Sequence, residues 1–314
     1  MRKLRINAIL WVAVFLVAAS PLTGEKISFK ISYNTASVSK GDLNTWIDSY
    51  NDRWKDFQAE ENGQLDGRLN PLKYGPKYEV ELRISLFAGL AFNLCGSHFS
   101  STDESTVNYV YSTANQEEKD FLMNKVKGIP FKIGFSYAQV LPFSENLYLF
   151  AGVGRHITFF TYKFNREYNQ SVGPYKYNLK VDSSYNSEAL GFYATLGVEY
   201  DLIKHIAIVA EAEKVWSKAN GFKGPLNEEL KESNPGEETK ISYENFDKAS
   251  LYFYEFRRGA NEKYYSSFRG LGKRPDNPDD YPVYPRGITD IKNLRQGELN
   301  LDTFSFKIGI RFKF

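Results

Sequence analysis

The stretch Leu301-Asp-Thr-Phe-Ser-Phe-Lys-Ile-Gly-Ile-Arg-Phe-Lys-Phe314 alternates without a break. Phe304, Phe306, Ile308, Ile310, Phe312 and Phe314 fall on one face, and Thr303, Ser305, Lys307, Gly309, Arg311 and Lys313 on the other. Successive side chains of a strand point to opposite faces, so this is a strand with one apolar and one polar side. A water-soluble sandwich makes the same alternation, and the connections between strands have to separate the two.

The same period-two reading predicts strands near 26–36, 77–87, 90–101, 129–141, 146–163, 188–201, 205–216 and 299–314. Between the second and third the chain turns at Ala88-Gly89. Between the fourth and fifth it turns across Pro142 to Glu145, and between the sixth and seventh from Asp201 to Lys204. The other connections, 37–76, 102–128, 164–187 and 217–298, are long. Strict alternation of short and long links is the habit of membrane barrels, whose periplasmic turns are short and whose outer loops are long. The expected fold is an all-β, up-and-down antiparallel transmembrane barrel of eight strands. A count of ten stays open because 240–246 and 249–256 could form two more.

The beginning of the chain agrees. Arg2, Lys3 and Arg5 precede an apolar run from Ile6 to Ala19, which exits through Ala18, Ala19 and Ser20. A charged stub, a short apolar stretch and a small-residue exit predict a signal peptide over 1–19 and a mature barrel over 20–314. The run is shorter than the ~20 residues of a membrane helix. A mean hydropathy of −0.46 does not argue against membranes, because only every second residue of a barrel strand meets lipid. Aromatic residues make up 16%, with 22 Tyr and 24 Phe, which suits strands and interfacial girdles. One cysteine, Cys95, excludes an intrachain disulfide framework, and a net charge of +2 gives no basis for nucleic-acid binding.

On this pattern the chain resembles the small outer-membrane barrels, the OmpA, OmpX and OmpW-like eight-stranded proteins. The resemblance covers the mature chain by architecture, with motif similarity confined to the last strand. Lys307, Gly309, Phe312 and Phe314 fill the polar, glycine, hydrophobic and terminal aromatic places of the β-signal with which such barrels commonly end. The resemblance implies recognition by the barrel-assembly machinery, residence in the bacterial outer membrane among its lipids and lipopolysaccharide, and, from its OmpW-like members, passage of small or hydrophobic solutes.

With the apolar face turned outward, the inner face collects Lys30, Glu79, Glu81, Arg83, Lys132, Glu199, Glu211, Glu213, Lys307, Arg311 and Lys313. Eight strands leave a lumen just wide enough for side chains to fill. Unpaired buried charges are costly, so the expectation is a lumen closed by ion pairs, with Glu199 meeting Arg311 or Lys313; a wet pore is the alternative. Arg155 resists this scheme. It shares the outward parity of Leu147, Leu149, Ala151 and Val153, which requires either a position near the rim or a bulge at Gly152 or Gly154.

Within 37–76, Leu43, Trp46, Ile47, Tyr50, Trp54 and Phe57 recur at helical spacing, so a helix is predicted over 42–58, capped by Ser39 or Asp42. Its aromatic stripe predicts packing over the barrel mouth, with a lid or lipid-touching segment as the alternative. The histidines His98, His156 and His205 sit in no catalytic motif, although His98 lies beside Ser97 and Ser100. The run Asp276-Asn-Pro-Asp-Asp280 reads as a solvated turn before it reads as a Ca²⁺ loop. No cofactor is expected and no enzyme activity. The expected function is a monomeric, non-enzymatic barrel with a filled lumen and loops for structural or surface-ligand roles, the alternative being a passive channel for small or hydrophobic solutes.

Overall fold

The computed structural model describes residues 27–37, 41–61, 63–72, 74–111, 116–237, 239–257, 263–272, 290–300 and 303–314. Met1 to Lys26, with the expected signal peptide, lie outside them, as do Ser39 and Asp276 to Asp280.

The alternating segments form strands β1 (Ile27–Ser37), β2 (Gln64–Gly67), β3 (Tyr74–Phe87), β4 (Leu90–Val110), β5 (Gln116–Leu141), β6 (Ser144–Val172) and β7 (Tyr175–Ile203). They continue as β8 (Ile206–Ala219), β9 (Lys223–Ser233), β10 (Lys240–Arg257), β11 (Tyr265–Leu271), β12 (Asp290–Gln296), β13 (Leu299–Asn300) and β14 (Thr303–Lys313). The helix α1 spans Asp42–Glu61. Antiparallel pairing runs β1–β3–β4–β5–β6–β7–β8–β14 and returns from β14 to β1 in the register Lys30↔Arg311 and Ile31↔Ile310. The ring therefore has eight strands, and β10 stands outside it, paired with β9, β11 and β12.

Tight turns gather at one end. β3 turns into β4 through Ala88 (φ 44°) and Gly89 (φ 82°), the pair of positive φ angles that a two-residue hairpin turn needs. The other turns there are Pro142-Phe143 and Lys204-His205. At the opposite end the strands rise into a tall wall. The segments 102–128 and 164–187, expected as loops, are largely strand: β4 pairs with β5 up to Val110↔Glu117, and β6 turns into β7 at Gly173-Pro174. The reason is a change of surroundings, not of backbone. Beside lipid the outward residues of β6 are apolar (Leu149, Val153, Phe159), whereas higher up the apolar residues lie inward (Phe160, Tyr162, Phe164, Tyr168). The strand continues while its apolar phase inverts. The segment 217–298 likewise carries β9 to β12, β9 prolonging β8 along β7.

Phe29, Ile31, Ile133, Phe135, Val153, Leu190, Phe192, Leu196, Phe306 and Ile308 are exposed around the ring. A contiguous apolar belt of this kind is far beyond what a soluble surface carries, and with a closed ring it defines a transmembrane barrel. Arg155 keeps its outward parity, because the register through Gly152 and Gly154 is continuous on both sides; no bulge intervenes. It lies within the upper part of the belt, its guanidinium 5.2 Å from the Phe192 ring centroid.

The wall encloses α1. Leu43, Trp46, Ile47, Tyr50 and Trp54 are buried and pack in one cluster with Phe99, Tyr109, Phe160, Tyr162, Phe253 and Phe268. Asp42 opens the helix but does not cap it. Its carboxylate accepts from Arg295 and from the Glu298 backbone N–H (2.8 Å), pinning α1 to the segment just before β14.

Candidate functional site

The inner faces of β1, β3, β5, β7, β8 and β14 bring the predicted charges together. At the turn end Lys313 pairs with Asp201 and with Glu199 (2.8 Å). Glu199 also meets Arg311 (3.0 Å) and Arg83 (3.2 Å). Arg311 reaches Glu81 (2.8 Å), which holds Lys30 (2.9 Å). Lys30 bonds Glu211 (2.6 Å), and Glu211 bonds Lys307 (2.8 Å). Lys307 donates to Glu79 (2.8 Å) and Glu213 (2.5 Å), and Lys132 bridges the same two carboxylates. Lys77 completes the run on Glu213 (3.2 Å). Cation and anion alternate from Asp201 to Lys77 along the barrel axis.

Two of these residues were not singled out from sequence. Lys77 shares the parity of Glu79 and Glu81, and Asp201 that of Glu199, but both sit at strand ends, where a pattern reading stops. The Lys30, Lys307 and Arg311 side chains are only 1% exposed, so the lattice fills the lumen. Uncompensated, each charge would cost several kcal/mol in such a place, and it is the multiple short contacts that make the arrangement tolerable.

Small residues on β5 and β6 make the room. A Cβ on Gly134 or Gly154 would stand 2.4 Å or 2.7 Å from the Tyr193 hydroxyl and ring, so Tyr193 lies across a floor that only glycine leaves open. The Lys132 ammonium in turn sits 5.3 Å from the Tyr193 ring centroid. Below the lattice a vestibule of about 520 Å³ opens at the turn end, lined by Arg83, Tyr148, Glu199, Arg311 and Lys313. In register with the upper lattice stand Ser32 (opposite Glu79), Asn34 (opposite Lys77) and His156 (opposite Lys132), with Thr158 a rung further along β6, and then comes the aromatic cluster around α1. The lumen is thus closed twice, by charge in its middle and by aromatic packing at the wall end.

The carboxylates of Glu79, Glu211 and Glu213 approach one another closely enough for a metal ion, but Lys132 and Lys307 already stand among them. Strand parity also separates His98 from Ser97. His98 is exposed on the outer face, whereas Ser97 faces the lumen and donates to the Pro130 carbonyl (3.4 Å). His156 Nδ1 lies 3.2 Å from Thr158 Oγ1, and His205 Nδ1 3.1 Å from the Lys313 carbonyl.

A second charged group lies in the wall. Asp120 is fully buried and accepts from Arg166 (2.6 Å) and from the Tyr50 hydroxyl of α1. Burial and the neighbouring Asp120 push the Tyr50 phenol well above its ordinary range. Glu118 accepts from Tyr168 (2.6 Å) and Tyr111 (2.8 Å). Sequence spacing gave no sign of this group, because its members come from α1, β5, β6 and the residue after β4.

With a closed ring, an apolar belt and a charge-filled lumen, the chain is a small transmembrane β-barrel of the outer-membrane type. No protein-family model matches it, and no curated protein matches it in sequence. Among solved structures it is similar to the outer membrane protein OprG from Pseudomonas aeruginosa at 10% identity, over 92% of this chain and 97% of that one, with a TM-score of 0.36. A major outer membrane protein from Thermus thermophilus is similar at 9% identity, over 92% and 99%, with a TM-score of 0.30. The outer membrane protease OmpT from Escherichia coli follows at 13% identity, over 92% and 94%, with a TM-score of 0.19.

Proposed function

We propose that this chain is a non-enzymatic barrel of the bacterial outer membrane, closed to solutes, with its turn end in the periplasm and its tall wall at the cell surface. The observation that carries this reading is the unbroken alternation of ion pairs from Asp201 to Lys77 beneath a helix-filled mouth. A solute crossing the lumen would have to separate buried pairs, each at a cost of about 3–5 kcal/mol if one partner is left alone. The wall, α1 and β9 to β12 then serve as a rigid surface structure in contact with the lipopolysaccharide layer or a surface ligand. Lys307, Gly309, Phe312 and Phe314 serve as the signal read by the assembly machinery.

Osmotic swelling of proteoliposomes tests this reading. Vesicles holding the barrel should swell in small sugars no faster than protein-free vesicles. Swelling that depends on protein concentration and falls with solute size would replace it with a passive channel.

A further inference from the structure

Just beyond the apolar belt, the outward face carries lysines with no acid directly opposite them. On β5 Lys127 follows Ile129, the last belt residue, and Lys125 stands one rung higher. On β6 Lys163 is the direct register partner of Lys125, and Thr161 is that of Lys127. Directly opposed residues have Cβ atoms ~4.5–5.5 Å apart, and alternate residues of one strand are roughly 6.7 Å apart. The three ammonium groups can therefore converge on one small anion.

Like charges directly opposite in a sheet destabilise it, and none of the three has an ion-pair partner among the described residues. Several other lysines on the outward side of the molecule do: Lys231 with Glu229 (2.5 Å), Lys218 with Glu298 (3.2 Å) and Lys180 with Glu167 (3.9 Å). Around the triad the register places Ser100 and Thr102 on β4 and Ser184 and Asn186 on β7, all neutral hydrogen-bonding groups. The nearest carboxylates in register are Glu104 and Asp182, a further rung from the belt opposite Met123 and Asn165, and Glu188 on β7, opposite Phe159 at the belt edge; none is directly opposite a lysine of the triad. Behind the wall Val126, Tyr162 and Phe164 are buried and uncharged, so no counter-charge reaches the triad from inside.

We propose that Lys125, Lys127 and Lys163 bind the phosphate of an anionic glycolipid headgroup in the outer leaflet. Height selects the occupant. The belt marks the hydrocarbon, and the triad occupies the first rungs above it, where lipid phosphates lie and where a basic side chain gains about 1 kcal/mol from an anionic surface. The site rests on the membrane placement proposed above.

The test uses the full barrel in zwitterionic micelles, with bisphosphorylated lipid A, its dephosphorylated counterpart and inorganic phosphate as probes. The wild type should bind the phosphorylated lipid. The triple variant K125Q/K127Q/K163Q should bind it roughly a hundredfold more weakly, from about fivefold per lysine, and Lys180→Gln should bind as the wild type does. Without lipid the triple variant should be at least as stable as the wild type, because its opposed lysines are gone, so weaker binding cannot be laid to misfolding. Equal affinity of the triple variant, or equal affinity for the dephosphorylated lipid, overturns the site. Competition by inorganic phosphate at lipid-like concentrations overturns the assignment to a lipid. None of these outcomes depends on whether the lumen conducts, which swelling reads separately.

Discussion

Glu213→Gln is the sharpest perturbation of the lumen. Its carboxylate meets Lys132 and Lys307 at 2.5 Å each and Lys77 at 3.2 Å, and all four side chains are at least nine-tenths buried. Glutamine keeps the size and one acceptor but removes the charge, leaving three lysines to share Glu79 and Glu211. Breaking one side of a buried pair costs about 3–5 kcal/mol. Because Lys132 and Lys307 also keep Glu79 at hand, the lower part of that range is expected, about 3 kcal/mol. Adding Lys132→Gln should restore part of it, with a coupling of about 1–3 kcal/mol. Urea unfolding of the refolded barrel in short-chain lipid vesicles, followed by tryptophan fluorescence and gel mobility, measures both. A loss below about 0.5 kcal/mol, or strict additivity in the double variant, would refute the view that these charges hold one another.

The aromatic plug should behave as a packed core: Trp54→Ala is expected to cost about 3–5 kcal/mol in the same urea assay without opening the lumen, since the lattice lies beneath it. Tyr50 gives the plug a pH dependence. Its folded pKa is raised, so its contribution is complete below the ordinary tyrosine value and is lost as pH rises through the higher folded one. Alkaline titration should therefore expose tryptophan only above the normal tyrosine range, and Tyr50→Phe should diminish that step, the remainder belonging to Tyr162 and Tyr185, whose phenols burial also raises. At the chain end, replacing Phe312 and Phe314 with Ala should cut insertion in cells far more than it lowers stability after refolding, where burial accounts for only ~1.5–3 kcal/mol each. Unchanged insertion in cells would remove the β-signal reading.

Strand parity made much of this molecule legible. Lys30, Glu79, Glu81, Arg83, Lys132, Glu199, Glu211, Glu213, Lys307, Arg311 and Lys313 alternate with apolar residues, and a period of two admits only one inner face. The helix was equally plain, because Leu43, Trp46, Ile47, Tyr50 and Trp54 repeat at a helical period and all five are buried. What could not be read was the height of the wall. Lys163, Asn165 and Glu167 continue the outward parity of Phe159, and Tyr162 and Phe164 the inward parity of His156. A reading that demands apolar outward residues stops where lipid gives way to water. The Asp120–Arg166–Tyr50 contact was hidden for another reason: it joins elements distant in the chain, and neither spacing nor composition encodes that meeting.

Single-channel recording in planar bilayers tests the closed lumen most directly. The wild-type barrel is expected to insert without steady openings, and a variant with Glu79, Lys132, Glu213 and Lys307 all changed to Ala should give more frequent openings under the same voltage. A steady, ohmic wild-type conductance, unaltered by emptying that layer, would contradict the account.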